Sequence, residues 1–373
     1  MKDTILFGDC KETLSEFLPQ SARTCVTSPP YYGLRDYGTA TWIGGDPNCN
    51  HRRDSKVKAE NCNTGHKNHN EMAGVGDAIY KTVCPKCGAI RQDSQIGLEE
   101  TPEEYIESLV SVFRSVRDVL TDDGTLWVNL GDSYYNYRPG KGQSYPKQSV
   151  SKTKQDLPDE CNKRGNKLDG LKEKDLIGIP WLFAFAMRND GWYLRQDIIW
   201  HKPNPMPESV RDRCTKSHEY IFLFSKNRKY YYDNEAIKEP AKDWGTRDRT
   251  NGKYHNEGTG LQPHSGLTKS YPTKNKRSVW SVTVKPYKEA HFATYPPDLI
   301  EPCILAGSEE GDTVLDPFMG AGTTAAVAKS LNRHYIGCEL NEDYGNLIQK
   351  RIQDYQPVIK VAQEPCINIL DII

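Results

Sequence analysis

The sequence contains no apolar run that approaches the ~18 residues of a transmembrane helix. Its first residues, MKDTILFGDC, lack the basic start, the apolar stretch and the small-residue cleavage site of a signal peptide. The 11 cysteines are odd in number and scattered over 373 residues, which argues against a disulfide scaffold. These absences exclude a membrane-spanning protein and argue against secretion, so we expect a cytoplasmic protein in a reducing compartment.

The composition also excludes a disordered chain, because aromatic residues make up 10% of it. Its 373 residues predict two or three structural units, at ~150 residues per domain. Segments of strand character alternate with segments of helical periodicity, from TILFGD at 4–9 to YIGCEL at 335–340. This alternation predicts an α/β fold with a mainly parallel, twisted sheet.

The net charge of -1 conceals an uneven distribution of charge along the chain. Residues 138–174 hold ten Lys and Arg against five Asp and Glu, and residues 202–288 hold eighteen against nine. Residues 289–373 reverse the balance, with five basic residues against thirteen acidic ones. Two basic segments in a near-neutral protein are typical of a polyanion partner, although lysine-rich solvated loops account for the same counts.

A strand, a glycine loop and the start of a helix follow one another in VLDPFMGAGTTA at 314–325. Gly320 and Gly322 permit a tight turn and close approach of the backbone to a ligand, and the helix N–H groups that follow favour an anionic group. Glu339 ends the next strand, where a carboxylate can bond ribose hydroxyls. The pattern predicts a nucleoside cofactor, and its G-x-G-x-x-A spacing also fits a nicotinamide-dependent oxidoreductase.

A second motif, TSPPYYG at 27–33, follows a predicted strand, at the place where open α/β sheets bind ligands. The prolines Pro29 and Pro30 fix the backbone and leave carbonyls without local N–H partners. Ser28 adds a hydroxyl acceptor, and Tyr31 adds an aromatic face on which a base can stack. The array suits a planar base with an exocyclic amine, while a rigid proline turn is the simpler interpretation of Pro-Pro-Tyr alone.

Together the two motifs resemble the β-group of amino-DNA methyltransferases, in which the catalytic motif precedes the S-adenosylmethionine motif. TSPPYYG at 27–33 stands far upstream of DPFMGAGTT at 316–324. Further segments that match the group are NLGDSYY at 129–135, HEYIFLFSK at 218–226, SVW at 278–280 and HFATYPPDLIEPCILAGS at 291–308. The resemblance implies a Rossmann-like methyltransferase fold with a circularly permuted motif order.

The resemblance also implies which residues surround S-adenosylmethionine. Those expected to border its methionine part are Asp316, Phe318, Gly320, Gly322, Thr323 and Thr324. Glu339 is expected to hold the ribose, and Asp9 to lie near the adenine. His291 and Thr294 are candidates for the cofactor carboxylate, since HFAT at 291–294 corresponds to a family segment that more often reads HPTQKP.

The implied reaction is methyl transfer to an exocyclic amine of a base flipped out of duplex DNA, with Ser28, Pro29, Pro30 and Tyr31 as the catalytic residues. The Ser28 hydroxyl and the Pro29 carbonyl accept the two amine N–H bonds and so increase electron density on the nitrogen. Within the family, Ser before Pro-Pro is typical of cytosine N4 enzymes, whereas Asp or Asn there is typical of adenine N6 enzymes. Ser28 therefore favours cytosine N4, with adenine N6 as the alternative.

A cysteine–histidine cluster stands in the polar stretch 38–97. Cys84-Pro-Lys-Cys87-Gly88 has the form of a zinc-knuckle half-site, and Cys49-Asn-His51 supplies a second ligand pair. The predicted ligands are Cys49, His51, Cys84 and Cys87, for which Cys62, His66 and His69 are possible substitutes. A metal would order a segment too polar to form its own core. A zinc-bearing nucleic-acid binding module without activity therefore stays a further alternative.

The predicted organisation has one catalytic domain interrupted by three insertions. Its catalytic parts are 1–37, 98–135, 175–202 and 278–373, and the insertions are a zinc-binding lobe at 38–97, a basic arm at 136–174 and a target-recognition region at 203–277 with a strand pair at 218–233. We expect the basic arm and the recognition region to bind double-stranded DNA. A cognate restriction endonuclease, a bacterial or phage origin, association with the nucleoid, and a monomer or homodimer complete the expectation.

Overall fold

A computed structural model describes residues 2–33, 39–51, 80, 83–135, 168, 170–241, 272–285 and 295–355. The chain divides into two compact units. The larger unit comprises Met1–Pro29 and Ile106–Ile373, and the smaller comprises Pro30–Tyr105. The smaller unit contains the whole of the predicted insertion 38–97.

The described residues contain twelve strands and six α-helices. The strands are β1 (Thr4–Phe7), β2 (Ala22–Thr27), β3 (Thr41–Ile43), β4 (Ile90–Gln92), β5 (Leu120–Leu130), β6 (Tyr193–His201), β7 (His218–Ser225), β8 (Glu239–Pro240), β9 (Thr273–Lys274), β10 (Val279–Ser281), β11 (Thr313–Asp316) and β12 (His334–Glu339). The helices are α1 (Cys10–Thr13), α2 (Pro102–Val119), α3 (Ile179–Asn189), α4 (Pro297–Gly307), α5 (Thr323–Ser330) and α6 (Gly345–Asp354).

Eight strands of the larger unit form one sheet in the order β1-β12-β11-β2-β5-β7-β6-β10. All neighbouring pairs are parallel except those of β7, which runs antiparallel to β5 and β6. The glycine-loop strand β11 comes late in the chain, yet it lies between β12 and β2. The prediction of a mainly parallel α/β sheet is therefore confirmed. Pairs β3–β4 and β8–β9 form separate two-stranded sheets.

Apolar periodicity positions the helices against this sheet. On α2, the helically spaced residues Leu109, Val112 and Val116 are fully buried. The apolar residues of α4 and α5 join those of β2, β5, β6 and β11 in a single hydrophobic core. None of the helices in the described ranges is both long and apolar enough to cross a membrane.

The strand pair predicted at 218–233 is wrong. β7 pairs with β5 and β6 in the centre of the large sheet, and residues 229–233 form no strand. The physical reason is the run HEYIFLFS, whose last five residues are buried and therefore need sheet neighbours and cover on both faces. The Asp-Asp-Gly sequence at 122–124, which is typical of a turn, lies within β5, at an irregularity of the pairing with β2.

Much of the predicted DNA-binding sequence lies outside the described residues. This applies to 136–167 and 169 of the basic arm and to 242–271 of the target-recognition region. Segment 286–294, which contains His291 and Thr294, also lies outside them. The roles expected of these segments stay predictions.

Candidate active site

Four acidic or hydroxyl side chains stand at the carboxyl ends of four neighbouring strands in the larger unit. Asp9 follows β1, Glu339 ends β12, Asp316 ends β11 and Thr27 ends β2. Parallel strands bring these ends to the same edge of the sheet, where open α/β folds bind their ligands. This edge is therefore the candidate nucleoside site.

Asp316 is a fully buried acceptor that organises this edge. Its Oδ1 accepts hydrogen bonds from the Thr27 hydroxyl (2.6 Å) and the Phe318 N–H (3.0 Å). Its Oδ2 accepts from the Thr324 hydroxyl (2.5 Å) and the Tyr295 hydroxyl (3.0 Å). Burial raises the pKa of this carboxyl above its ordinary value, while the four donors oppose the increase. Asp316 thus connects the end of β2 to the glycine loop and to the start of α5.

The glycine loop turns sharply into α5 at Gly322, whose φ is +80°. A Cβ at this position would lie 2.9 Å from Cγ2 of Ile348 on α6, so both the backbone angle and the packing require glycine. Two residues earlier, the Gly320 N–H donates to Oε2 of Glu339 at 2.7 Å. The loop is therefore tied to the tip of the next strand.

Glu339 is 8% exposed and accepts a second hydrogen bond, from the Asn341 N–H to Oε1 at 2.9 Å. Burial raises the pKa of this carboxyl to about 7, against the backbone N–H donors that favour ionisation. Its backbone carbonyl accepts from the Gly8 N–H at 2.9 Å, which joins the ends of β12 and β1. The half-buried Asp9 that follows caps α1 by accepting from the Lys11 N–H at 2.9 Å.

Most of the predicted cofactor residues are therefore brought to one edge of the larger unit. They are Asp9, Asp316, Phe318, Gly320, Gly322, Thr323, Thr324 and Glu339. Carboxylates at strand ends, a glycine turn and the N–H groups of a following helix together suit a nucleoside that carries an anionic group. His291 and Thr294 cannot be placed, because they lie outside the described residues.

Ser28 lies just beyond β2, and its hydroxyl faces an amide whose orientation is set by other groups. The Ser28 Oγ donates to Oδ1 of Asn129 at 3.4 Å. The Asn129 amide nitrogen donates to the Tyr220 carbonyl at 3.0 Å and to Oε2 of Glu219 at 3.5 Å. Because the Asn129 N–H groups are directed at acceptors, its carbonyl oxygen points to Ser28. The Ser28 hydroxyl therefore donates its hydrogen bond to Asn129, and its oxygen lone pairs remain available as acceptors.

The smaller unit carries the second half of the proline motif. The Pro30 carbonyl accepts from the Tyr105 hydroxyl at 2.8 Å, and the Gly33 N–H donates to the Gly97 carbonyl at 2.9 Å. Tyr31, between them, is half-buried. Ser28 and Pro29 belong to the larger unit, so the chain passes from one unit to the other within the motif.

The four predicted zinc ligands also meet in the smaller unit, where their ligand atoms all lie within 4.8 Å of one another. The Sγ atoms of Cys49 and Cys84 are 3.7 Å apart, and Sγ of Cys87 is 3.5 Å from Nδ1 of His51. A tetrahedral site with Zn–S of about 2.3 Å and Zn–N of about 2.0–2.1 Å places its ligand atoms roughly 3.5–3.8 Å apart. The donor set and spacing therefore fit zinc. The proposed substitutes Cys62, His66 and His69 lie outside the described residues.

Local structure explains why these four side chains converge. The Cys84 N–H donates to the Ala89 carbonyl (2.8 Å), and the Gly88 N–H donates to the Cys84 carbonyl (2.7 Å), so Cys84 and Cys87 sit on one tight turn. The His51 ring stacks on Trp42 with centroids 4.2 Å apart. The turn and the stacked ring hold the ligand pairs without a large apolar core.

Three residues with a clear place in the site were not predicted: Thr27, Asn129 and Tyr295. Each lies inside a segment that carries the family resemblance. The sequence therefore indicated the segment, but it did not indicate the hydrogen-bond partner of the side chain. Asp132, in the neighbouring segment NLGDSYY, has a structural role. Its carboxylate accepts from the N–H groups of Gly178 and Ile179 at the start of α3 (3.1–3.2 Å).

Comparison with known proteins identifies relatives over nearly the whole chain. The family model N6_N4_Mtase, described as DNA methylase, matches residues 22–350. The Type II methyltransferase M.SmaI of Serratia marcescens is 40% identical over 353 residues, which cover 93% of this chain and 90% of the relative. The Type II methyltransferase M.XycI of Xanthomonas campestris pv. cyanopsidis is 39% identical over 360 residues, which cover 96% of this chain and 91% of the relative.

Among solved structures, the PvuII DNA methyltransferase (cytosine-N4-specific) has a similar fold. Its TM-score is 0.54 at 15% identity, and the match covers 96% of this chain and 89% of that one. At this identity the similarity establishes the fold and not the substrate.

Proposed function

The chain belongs to the DNA methylase family, and on that premise we propose that it transfers a methyl group from S-adenosylmethionine to the cytosine N4 amine of a base flipped out of duplex DNA. The family match removes the nicotinamide-dependent oxidoreductase as an alternative. The observation that carries the proposal is the hydrogen bond from Thr27 to Asp316, because it joins the strand before Ser-Pro-Pro-Tyr to the strand before the glycine loop. In the chain these motifs stand in permuted order, with the catalytic one first.

Residues at the edge of the sheet would hold the cofactor. Glu339 would bond the ribose of the cofactor, and Asp9 would lie near its adenine. The loop from Phe318 to Thr324 would line its methionine part. His291 and Thr294 are proposed for its carboxylate. When bound, S-adenosylmethionine supplies an electrophilic methyl group on a sulfonium sulfur. The chain has to bring a weakly nucleophilic amine in line with that methyl group.

The Ser28 hydroxyl and the Pro29 carbonyl would accept the two N–H bonds of the target amine. The Asn129 contact supports this assignment, since it leaves Ser28 only its acceptor lone pairs. Fixed acceptors at both N–H bonds favour a pyramidal nitrogen with a localised lone pair, which is the form that attacks. No covalent intermediate with the protein is needed.

The target base must leave the DNA helix, at a cost of a few kcal/mol. Stacking on Tyr31 would return roughly 1–3 kcal/mol per base. Pro30, whose carbonyl is held by Tyr105, would fix the backbone from which Tyr31 projects.

Ser28 is the residue that favours cytosine N4 over adenine N6. The test is incubation of DNA with the protein and labelled S-adenosylmethionine, followed by digestion to nucleosides and mass spectrometry. N4-methylcytosine supports the proposal, N6-methyladenine corrects the base, and absence of label from DNA points to a non-catalytic binding protein. Sequencing of the modified DNA at base resolution then gives the recognition site.

Zinc at Cys49, His51, Cys84 and Cys87 is proposed as a structural ion. Four protein ligands fill a tetrahedral site and leave no position for substrate or water. Two of the distances between ligand atoms, 3.7 Å for Cys49–Cys84 and 3.5 Å for Cys87–His51, support this assignment. Elemental analysis of protein purified without metal resin should find about one zinc per chain, and a metal-free protein would contradict it.

The basic arm at 136–174 and those parts of the region 203–277 that lie outside β7 are proposed to bind double-stranded DNA. The names of the relatives, Type II methyltransferases, support a companion restriction endonuclease. DNA modified by this protein should then resist an endonuclease that cuts the same site. Such a protein would work as a monomer or homodimer at the nucleoid, in the cytoplasm of a bacterium.

A further inference from the structure

The cysteine–histidine cluster and the segment that carries Tyr31 are connected by residues 88–105, which we call the brace. We infer that metal binding at Cys49, His51, Cys84 and Cys87 fixes the brace, and that the brace in turn fixes residues 30–33. Zinc is then a positioning element for the target base and has no part in cofactor binding. This inference rests on the proposed function for its consequence and on the smaller unit alone for its geometry.

The brace begins directly after the last ligand, Cys87. Its first buried residue, Ala89, shares the tight turn with Cys84 and leads directly into β4. β4 pairs with β3, in register Arg91 to Trp42, and Trp42 stacks on the ligand His51. Both ligand pairs therefore contact the same two-stranded sheet. Cys84 and Cys87 lie on the turn that leads into β4, and His51 stacks on Trp42 of β3.

The middle of the brace is a polar turn with few degrees of freedom. The guanidinium of Arg91 forms a salt bridge of 2.9 Å with Asp93, and both side chains are largely buried. The other oxygen of Asp93 accepts from the Gln95 N–H (3.1 Å) and the Thr39 hydroxyl (3.4 Å). Gln95 is itself buried, so a displacement of β4 is passed to the residues that follow.

The far end of the brace grips the proline motif at three points. The Gly97 carbonyl accepts from the Gly33 N–H, the Glu100 carbonyl accepts from the Tyr32 hydroxyl (3.1 Å), and the Tyr105 hydroxyl donates to the Pro30 carbonyl. The three residues of the motif that form these hydrogen bonds, Pro30, Tyr32 and Gly33, lie on both sides of Tyr31 in the chain. The position of Tyr31 is thus determined by the brace.

Gly97 has the closest approach to this segment. Its φ is +101°, and a Cβ on it would lie 3.1 Å from the Tyr31 carbonyl oxygen. Only glycine combines that backbone angle with so close a contact.

A metal is needed because the smaller unit has little else to hold it. Among its described residues, the buried apolar side chains are Cys84, Ala89, Ile96, Pro102 and Tyr105. A core of this size contributes too little to offset the ordering of the chain, and metal coordination supplies free energy of folding in such cases. Loss of the metal should therefore release the brace while the larger unit stays folded.

The test compares wild type with a Cys84→Ser/Cys87→Ser variant by hydrogen exchange of peptides that cover 30–33. We expect the variant to lose zinc, to exchange these amides roughly tenfold or more faster, and to lose methyl transfer by roughly tenfold to a hundredfold. Calorimetric affinity for S-adenosylmethionine should stay within twofold, since Asp316, Gly320 and Glu339 belong to the larger unit. Cys366→Ser is the matched control and should change none of these quantities. His51→Cys keeps four ligand side chains and should retain zinc.

Gly97→Ala separates the brace from the metal. It should retain zinc and cofactor affinity, yet expose the amides of 31–33 and reduce methyl transfer as metal loss does. Unchanged exchange at 30–33 in the double cysteine variant, or in wild type stripped of zinc by a chelator, overturns the inference. So does a zinc-free wild type. If wild type transfers no methyl group to DNA, the proposed function fails, while the exchange measurement still decides whether the metal holds the brace.

Discussion

The Thr27 hydroxyl donates a hydrogen bond of 2.6 Å to the Asp316 carboxylate, across 289 positions of sequence. Both side chains are buried, at 1% and 0% exposure. The bond connects the end of β2 to the end of β11, and so holds the proline motif and the glycine loop side by side. A buried carboxylate with a raised pKa depends on such donors, which makes the contact important for stability and for the cofactor site.

Replacement of Thr27 by Val, which has the same shape and no hydroxyl, should destabilise the protein. The buried Asp316 carboxylate loses one of its four donors, so the free energy of unfolding should fall by roughly 1–3 kcal/mol. Affinity for S-adenosylmethionine should fall as well, because the loop above Asp316 is less well held. Thr27→Ser keeps the donor and is the control. Denaturant unfolding and calorimetry measure the two effects, and a Val variant equal to wild type in both would contradict the role given to this bond.

Asn129→Ala should reduce turnover by roughly tenfold to a hundredfold, because the Ser28 hydroxyl loses the acceptor that orients it. Cofactor affinity should not change. Ser28→Ala should reduce turnover at least as much. If Asn129 acts through Ser28, the double variant should be no slower than Ser28→Ala alone. Single-turnover rates of the four proteins form the cycle, and fully additive effects would show that the two residues act independently.

Glu339 should make cofactor binding depend on pH near neutrality. Burial raises its pKa to about 7 from an ordinary 4.5, so much of the free protein carries this proton at pH 6–7. Ribose hydroxyls donate most strongly to the ionised form, and binding should therefore expel a fraction of a proton and tighten as the pH rises from about 6 to 8. Calorimetry in buffers of different ionisation enthalpy counts the released protons. Glu339→Gln should bind more weakly, with no such release.

The same shift affects stability in the opposite direction. Because the folded state holds the proton more tightly than the unfolded state, Glu339 reduces the free energy of unfolding as the pH rises between about 4.5 and 7. The full effect is at most roughly 3 kcal/mol. In Glu339→Gln this part of the pH dependence should vanish, and a wild-type stability that rises through the window with no difference from the variant would contradict the assignment.

Alanine replacement of a basic cluster in the arm, Lys152, Lys154, Lys163 and Arg164, should weaken DNA binding and flatten its salt dependence. Each lost phosphate contact should reduce the slope of log affinity against log salt by roughly one unit. Lys329→Ala, an exposed lysine of α5 in the acidic end of the chain, is the control. Titrations at several salt concentrations decide the matter, since an unchanged slope means that the arm does not contact phosphates.

Arg211 and Arg213, both in the predicted target-recognition region, are not equivalent. Arg213 pairs with Glu208 at 2.5 Å and lies over the Tyr134 ring at 3.9 Å, which gives it a structural task. Arg211 is exposed. Arg211→Ala should therefore change DNA affinity or site preference without loss of stability, whereas Arg213→Ala should lower the melting temperature.

Local patterns predicted the elements well and their partners poorly. β11, the turn at Gly322 and α5 follow from a short stretch of sequence, because strand burial, glycine angles and helix starts are local properties. The placement of β7 between β5 and β6 is a long-range choice, and the apolar run HEYIFLFS alone did not reveal it. A nearby hairpin was predicted instead, since proximity in the chain was the available guide.

The site shows the same division. Carboxylates and glycines with a strong sequence pattern were assigned before the fold, and so were the four metal ligands, whose spacing marks them. Thr27, Asn129 and Tyr295 act through the direction of one hydrogen bond each. That direction depends on which strands are neighbours, and no spacing in the chain encodes it.

The order of strands also has a consequence for how the protein is made. Of the strands in this sheet, β1 and β2 come first in the chain, yet they are separated in the sheet by β12 and β11. A ribosome that adds about 5–20 residues per second needs roughly 15–60 s to pass from Thr27 to Thr313. During that time the two early strands present open edges that their final neighbours have not yet covered. The nascent chain can therefore neither methylate nor complete its sheet until residues 313–373 emerge, and a chain interrupted before β11 exposes an aggregation-prone edge instead of a partly active enzyme.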